Sequence, residues 1–206
     1  HRDKTPALAG VAKLIASELL WLRIITCHLL TLRNPHLTSP MGSLQFAIER
    51  IDRTRAYTKA LLEGIEDDLW FTQPEGCPTH TAWQVGHIAM AQYALCLMRV
   101  RDSQPGDREI MSREFRKQFS KGSSPDPDPA GNPSPEEIRQ VFDAVHAQVM
   151  QEAPTFDEAE LARELAAPHE MFTTKIAALH FSADHEMLHA GQIGILRRML
   201  GKPPVR

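Results

Sequence analysis

Two histidines one helical turn apart are the residues of this sequence best placed to do chemistry. His185 and His189 stand in the segment HEMLH, residues 185–189. Since an α-helix advances by about 100° per residue, the two imidazoles lie about 40° apart on one helical face. Neutral imidazole nitrogens at positions i and i+4 can bind the same divalent ion. The spacing therefore predicts part of a metal site.

The same five letters form the HExxH signature of zinc metalloproteases, in which Glu186 would be the general base. Those enzymes take a third ligand downstream of the motif. The residues after His189 are AGQIGILRRMLGKPPVR, without a histidine, acid or cysteine, so we do not expect a protease. In another kind of metal site, Glu186 is either a catalytic base near the ion or a surface carboxylate that pairs with Arg197 or Arg198.

Further side chains share the face of His185 and His189. They are Ala178, Phe181, Leu188, Gln192, Leu196 and Met199, which predicts that this face is buried in the core. Burying an imidazole or an amide without a partner costs about 1–3 kcal/mol, so a metal ion would offset that cost. Gln192 has two interpretations: an outer-shell group that orients a ligand or a bound water, or an amide that packs against a neighbouring helix.

The third ligand should lie upstream of these two histidines. His87 follows TAWQVG and shares its helical face with Trp83 and Met90, so its imidazole also points toward an apolar core. His180 lies on a different face of the last helix, and His146 only flanks the buried stripe of its own helix, which makes both weaker candidates. Each of these histidines could instead be a hydrogen-bonded core residue.

Four helical segments, separated by breakers, must position these side chains. The first has an apolar face at steps of three and four, formed by Leu44, Ala47, Ile51, Thr54, Thr58, Leu61 and Ile65. Thr81 and Gln84 have the spacing of a capping box and predict a second helix that extends to about Arg101. The third begins at Ser134, Pro135 and Glu137. Its buried stripe is Ile138, Val141, Phe142, Val145 and Val149.

The last helix is predicted from about Met171 to Leu200, ending at Gly201. Residues 121–135, KGSSPDPDPAGNPSP, are rich in proline and predict a long crossing loop. No segment alternates with the period of a strand. These patterns predict an all-α chain folded as an antiparallel four-helix bundle.

The first 40 residues differ from the rest. Their apolar run from Ala9 to Leu32 is interrupted by charged side chains, which argues against a bilayer-spanning helix, and no signal-peptide cleavage site follows it. We expect residues 1–40 to be an extension, even one upstream of the natural start, and residues 41–206 to be the domain. The competing interpretation is an additional amphipathic helix that packs on the domain.

Composition limits the classes of partner. The 206 residues include 26 acidic and 23 basic side chains, so no strong positive field would attract nucleic acid or an anionic membrane. Three widely spaced cysteines, Cys27, Cys77 and Cys96, form no disulfide framework or CxxC pair. They favour a reducing, cytoplasmic location.

The histidine after TAWQVG, followed on the last helix by H-x-x-x-H-x-G-Q-I-x-x-L-R-R-x-L-G, resembles the DinB-like (DinB/YfiT) superfamily over about residues 42–202. The resemblance implies a four-helix bundle whose metal ligands are His87, His185 and His189. It implies nickel or zinc first, with iron or manganese as further choices, and a homodimer. Characterised relatives include S-transferases and isomerases that use low-molecular-weight thiols such as bacillithiol or mycothiol.

Three protein ligands would leave coordination positions open, as in catalytic rather than structural sites. The leading hypothesis is therefore a metal-dependent enzyme with a small-molecule substrate, working by thiol S-transfer or hydrolysis. The alternatives are a metal-binding stress or sensing bundle without turnover, and a purely structural bundle with hydrogen-bonded histidines.

Overall fold

The computed structural model describes residues 42–205. The predicted N-terminal extension, residues 1–40, lies outside this range, as does residue 41 at the predicted domain boundary. Within the described part of the chain, no helix is both long and apolar enough to cross a membrane.

The described chain is mostly helical, which confirms the all-α expectation in its coarse form. Its elements are α1 (Ser43–Leu62), α2 (Thr81–Gln92), α3 (Asp107–Ile110), α4 (Arg113–Gln118), α5 (Pro135–Glu152), α6 (Glu158–Leu161), β1 (Glu164–His169), β2 (Phe172–Thr174) and α7 (Lys175–Met199). A π-helical segment, Tyr93–Met98, and a last turn, Arg99–Arg101, extend α2. Helix α7 packs against α1 and α2, and α2 packs against α5.

The predicted apolar faces of the first and third helices are confirmed. In α1 the buried residues include Leu44, Ala47, Ile51, Thr54, Thr58 and Leu61. In α5 they are Ile138, Phe142, Val145 and Val149, whereas Val141, predicted for the same stripe, is only partly buried. The predicted N-terminus of α5 is also confirmed: the Ser134 hydroxyl accepts from the Glu137 amide, and the Glu137 carboxylate accepts from the Ser134 amide. These contacts are local, which is why the sequence predicts them well.

The predicted capping box at the start of α2 is wrong. The helix does begin at Thr81, but its N-cap is His80, whose Nδ1 accepts from the Trp83 amide at 3.2 Å. The Thr81 hydroxyl is buried and has no hydrogen-bond partner among the described residues. The Gln84 side chain, which a capping box would turn back to the N-terminus, points instead toward α7.

Cross-helix contacts show that α1 and α7 run in the same direction. Near their N-termini the Ser43 hydroxyl lies 3.0 Å from Nε2 of His180. Near their C-termini the Arg197 guanidinium donates to the Leu61 carbonyl at 3.0 Å. The N-terminal part of α1 thus contacts the N-terminal part of α7, and the C-terminal parts contact each other, so the two helices are parallel.

Helices α2 and α5 are parallel as well. Gln92 contacts His146, and further along both chains Arg101 pairs with Glu152. The predicted antiparallel arrangement is therefore wrong for these two helix pairs. Short loops force neighbouring helices to be antiparallel, but residues 102–134 form a connection long enough to return the chain to the starting end. That connection contains α3, α4 and a 3₁₀ turn at Pro129–Gly131.

A β-hairpin replaces the predicted start of the last helix. Strands β1 and β2 are antiparallel, with Glu164 opposite Thr174 and His169 opposite Phe172. Strand β2 has only three residues and the sequence of β1, ELAAPH, does not alternate apolar with polar residues, so no period-two pattern marks the hairpin. Helix α7 therefore begins at Lys175 rather than near residue 171. Its end matches the prediction, because Gly201 adopts a positive φ of 77°.

The buried face of α7 was only partly predicted. Ala178 and Leu196 are buried, and Phe181 is partly buried. Leu188 and Met199 were assigned to the same face, but they are 65% and 46% exposed. Periodicity gives the relative angle of side chains around a helix, whereas the positions of α1 and α2 decide which angles are covered.

Candidate metal centre

Helix α2 presents His87 from a buried position. The ring lies flat against the Trp83 indole, with centroids 4.7 Å apart and planes 6° from parallel. Its Nδ1 is 2.8 Å from the Phe119 carbonyl oxygen. A carbonyl oxygen can only accept, so Nδ1 carries the hydrogen and Nε2 keeps its lone pair. This outer contact fixes both the tautomer and the ring orientation that a metal ligand needs.

Helix α7 brings His185 and His189 to the same place. The ring centroid of His87 lies 5.3 Å from that of His185 and 4.8 Å from that of His189. One potential ligand nitrogen from each ring lies within 4.8 Å of the other two. Among the described residues, no carboxylate or thiol joins this group. The structure thus brings together the three histidines that the sequence predicted as ligands.

Burial keeps these imidazoles neutral. It lowers the pKa of His87, and together with the neighbouring imidazoles it lowers the pKa of His185 to about 4 and of His189 to about 3. All three rings are therefore uncharged at neutral pH, the only state in which an imidazole can bind a metal.

These pKa shifts predict the pH dependence of the metal-free protein. In the unfolded chain a histidine titrates near its ordinary pKa of about 6.5. Between about pH 6.5 and pH 3 the unfolded state binds more protons, so the free energy of unfolding should decrease as the pH falls. Urea denaturation of metal-free protein at several pH values would measure this. The variant His185→Gln/His189→Gln should have a shallower slope, and an equal slope in both proteins would contradict the prediction.

Gln84 is a component of the site that sequence reasoning missed. Its Oε1 lies 2.6 Å from Nδ1 of His189, which must therefore donate the hydrogen. Its Nε2 donates to Thr79 Oγ1 and to Gln192 Oε1, both at 2.9 Å. The amide is thus held from both ends and leaves Nε2 of His189 facing the other two rings. The sequence does contain a pattern that could have identified Gln84, because it precedes His87 by one helical turn, on the same face of α2.

Among the described residues, the Gln192 side chain makes no hydrogen bond to the three histidines. It is exposed, and its contact is with the Gln84 amide. Its effect on a metal would therefore be indirect, through Gln84 and then His189. Gln192 thus makes the predicted contact with a neighbouring helix, whereas its role in orienting a ligand or a bound water stays a prediction.

The two glutamines should differ in their effect on metal affinity. We expect Gln84→Ala to weaken binding by about 10–100-fold, the usual cost of losing an outer-shell partner. Gln192→Ala should change it by less than about threefold, because Gln84 retains Thr79 as a partner. Competition titration with a chelator measures both variants under identical conditions. The reverse order of effects would show that Gln84 does not orient His189.

Gly86 allows Phe119 to reach His87. A Cβ atom at position 86 would lie 2.5 Å from Cδ1 of Phe119, whose ring is fully buried. Only glycine permits this approach of α2 to the residue that follows α4. The carbonyl of the same Phe119 holds Nδ1 of His87, so packing at Gly86 and the position of the metal ligand are coupled.

Gly86→Ala should therefore damage the site without touching a ligand. Overpacking typically costs about 1–3 kcal/mol, and displacement of the Phe119 carbonyl should weaken metal binding by about tenfold or more. Gly191→Ala on α7 is the matched control, since its Cβ would meet nothing within 4 Å. Chelator competition and thermal unfolding on the two variants would test the coupling. Equal metal affinities in the two variants would refute it.

Glu186 is not a surface residue. It is 3% exposed, and both of its carboxylate oxygens accept from the Arg55 guanidinium, at 2.9 and 3.1 Å. The predicted surface alternative, with Arg197 or Arg198 as partner, is therefore wrong. Arg197 instead donates to the carbonyls of Leu61, near the end of α1, and of Pro203, beyond the end of α7. The sequence did not suggest Arg55 as a partner because 131 positions separate it from Glu186.

The two other upstream candidates stay outside the cluster. His180 contacts the Ser43 hydroxyl. His146 lies between Gln92 and Asp52, at 3.3 Å from each. Neither residue belongs to the group of three converging rings, in agreement with their weaker ranking in the sequence.

Aromatic side chains border the cluster. Phe181, one turn before His185, has its ring centroid 6.0 Å from that of the histidine. His169 of the β-hairpin stacks on Phe172 at 4.6 Å and also contacts Phe181. The hairpin that sequence analysis did not predict thus supplies one wall of the site. Trp83 supplies another, and its indole nitrogen donates to the Ser123 hydroxyl at 3.0 Å.

Comparisons with known proteins find a matching family and a similar fold. The model of the DinB superfamily matches residues 50–193, a range that contains all three histidines. A solved structure of a conserved protein from Enterococcus faecalis is similar, with a TM-score of 0.61 and 17% identity, covering 77% of this chain and 97% of that one. At this identity the likeness concerns the fold alone. No curated protein matches the sequence significantly.

Proposed function

The chain belongs to the DinB superfamily, and we propose that it is a divalent-metal-dependent enzyme that acts on a small molecule. The observation that carries the proposal is the convergence of His87, His185 and His189, whose potential ligand atoms all lie within 4.8 Å of one another. We take the four long helices to be the four-helix bundle of this superfamily, with the cluster between α2 and α7.

The donor set fits a borderline divalent ion. Three neutral imidazoles suit nickel or zinc, and also iron, whereas magnesium and calcium prefer oxygen ligands. Outer contacts to the Phe119 carbonyl and to Gln84 already fix two of the rings. We propose nickel or zinc as the resident ion, with iron or manganese as further choices.

The ion would lower the pKa of a coordinated water or thiol and so supply a nucleophile at neutral pH. The protein's part is to hold three neutral nitrogens on one side and leave the other side to a substrate. Trp83 and Phe181 offer apolar walls that exclude water and pack against the carbon skeleton of a substrate.

Of the two reaction types, we favour thiol S-transfer over hydrolysis. Hydrolysis would benefit from a carboxylate base beside the ion, and the predicted candidate, Glu186, has both oxygens bound to Arg55. Thiol transfer needs no such base, because coordination to the ion is enough to deprotonate a thiol. The co-substrate would then be a low-molecular-weight thiol.

The ion pair between Glu186 and Arg55 also supports the second candidate function, a metal-binding stress or sensing protein without turnover. The two functions differ in one measurable property. Metal content by mass spectrometry should be near one ion per chain for both, but only an enzyme would consume a thiol faster than the uncatalysed reaction with the same electrophile.

The experiment uses one sample for both measurements. Purified protein is analysed for metal, and thiol consumption is followed with a small electrophile before and after chelation. Turnover that disappears on chelation and returns with nickel or zinc supports the enzyme. Stoichiometric metal without turnover supports the binder, and the absence of metal after reconstitution would reject both.

Partners and location are part of the same proposal. We propose a small-molecule substrate, a homodimeric assembly and the cytoplasm, with neither nucleic acid nor membrane as partner. In the described residues, Cys77 and Cys96 are free thiols, and the reducing location rests on the wide spacing of the cysteines. Sedimentation equilibrium would test the dimer.

A further inference from the structure

A cavity lies apart from the histidine cluster. It has a volume of about 450 Å³ and is formed by the π-helical end of α2, the loop 102–106, α3 and α4. Its floor includes the buried residues Tyr93, Asp107 and Met111. None of the three converging histidines lines it. The volume lies within the range of pockets that hold small molecules, which is about 300–1,000 Å³.

Three arginines that line this cavity form no salt bridge of their own within the described residues. Arg108, Arg113 and Arg116 have no carboxylate partner within salt-bridge distance among residues 42–205, and Arg116 has only the Met98 sulfur, at 3.9 Å. Several other arginines in that range do pair with carboxylates: Arg50, Arg55, Arg101, Arg139 and Arg163. Three like charges around one cavity produce a local positive potential, which a bound anion would neutralise.

The acid in the floor offsets only part of this potential. Arg101 donates to Asp107 at 2.9 and 3.2 Å and also pairs with Glu152, so these three groups carry one net negative charge against the three positive charges of the lining arginines. The Asp107 carboxylate also accepts from the Tyr93 hydroxyl at 3.0 Å and from the backbone N–H of Gln104 at 2.8 Å. Burial alone would raise the pKa of Asp107, but these hydrogen bonds lower it overall. The carboxylate is thus paired inside the protein, whereas the three lining guanidinium groups remain free for a ligand.

Hydroxyl donors complete the lining. Ser112 caps α4 by accepting from the Phe115 amide at 3.0 Å, which leaves its O–H free to donate. Ser103 also lines the cavity, with its hydroxyl 3.4 Å from that of Tyr93. Guanidinium forks with nearby hydroxyls form the donor set that binds phosphate or clustered carboxylates.

We propose that this cavity binds a small molecule through a compact polyanionic group, either a phosphate ester or clustered carboxylates. The inference is independent of the metal site, because it rests on a different set of residues. It adds an anion-binding site to the protein whether or not the histidines hold a metal.

The test uses three probes on metal-free protein: inorganic phosphate, pyrophosphate and citrate. To remove any contribution of the histidines, the His185→Ala protein is titrated in parallel by calorimetry at constant ionic strength. We expect saturable binding of at least one probe by both proteins. Arg113→Gln/Arg116→Gln should weaken it by about tenfold or more, since two charge-assisted contacts are lost.

The matched control is Arg53→Gln/Arg198→Gln, which removes the same charge from two exposed arginines elsewhere. It should change the dissociation constant by less than about twofold, as is usual for surface substitutions. Tighter binding of phosphate or pyrophosphate assigns a phosphate ester, tighter binding of citrate assigns a polycarboxylate, and either supports the site. Absence of saturable binding by all three probes overturns the proposal, as does equal weakening by the control variant.

Discussion

Replacing His185 or His189 by alanine is expected to remove the bound metal. Each substitution leaves two imidazoles where three converge, and the loss of affinity should exceed the 10–100-fold that is typical of losing an outer-shell partner. We therefore expect at least about a 100-fold weaker dissociation constant and little metal in the purified variant. Mass spectrometry of the purified proteins and chelator competition would measure both quantities.

His180→Ala is the matched control for this prediction. It lies on the same helix, is also a histidine and contacts Ser43 rather than the cluster, so its metal content should equal that of the wild type. The folded state should survive in all three variants, because alanine has a high helix propensity. Normal metal affinity in both cluster variants would show that His185 and His189 are core histidines without a ligand role.

The success of the sequence in locating this cluster has a simple physical origin. His185 and His189 are related by the helix period alone, so their common face follows from the residue numbers. Periodicity alone could not connect His87 with these two residues, because His87 lies on a helix about 100 residues away; only the superfamily resemblance made that link. Local rules also predicted the Ser134 cap and the stop at Gly201, where all contacts lie within a few residues.

What the sequence did not reveal depends on contacts between distant elements. The parallel directions of α1 and α7 are set by how residues 102–134 return the chain, which no periodicity records. The Gln84 amide looked like a capping residue because its spacing from Thr81 satisfies a local rule, but His189 provides a better partner in the fold. The exposure of Leu188 has the same origin, since coverage by other helices cannot be read from α7 itself.

The largest effect on folding is expected from Glu186, which belongs to a buried ion pair. Arg55 is 1% exposed and donates to Glu186, to the Gln92 amide oxygen and to the Phe142 carbonyl. Its guanidinium also lies over the Phe142 ring at 3.5 Å. One side chain thus joins α1, α2, α5 and α7, and it holds α7 at the residue next to His185.

Glu186→Ala should destabilise the protein by about 3–5 kcal/mol, because it leaves the Arg55 charge buried and unpaired. Arg55→Met/Glu186→Leu removes both charges and retains volume, so its free energy of unfolding should lie much closer to that of the wild type. Urea denaturation of the two variants and the wild type measures the difference. Equal destabilisation in the single and double variants would show that the interaction of the pair is not the cause.

Glu186→Gln separates this structural role from catalysis. The amide can still accept one hydrogen bond from Arg55 through its oxygen, but Arg55 loses its counter-charge, so we expect the variant to be less stable, and turnover is to be measured at a temperature where it is folded and metallated. If Glu186 were a general base, turnover at full metal occupancy should fall by about 100-fold or more. Because Glu186 is 3% exposed and both of its oxygens accept from Arg55, we do not expect it to take a substrate proton, and turnover should change far less. A large loss of rate in a folded, fully metallated Glu186→Gln protein would return Glu186 to the mechanism and favour hydrolysis over thiol transfer.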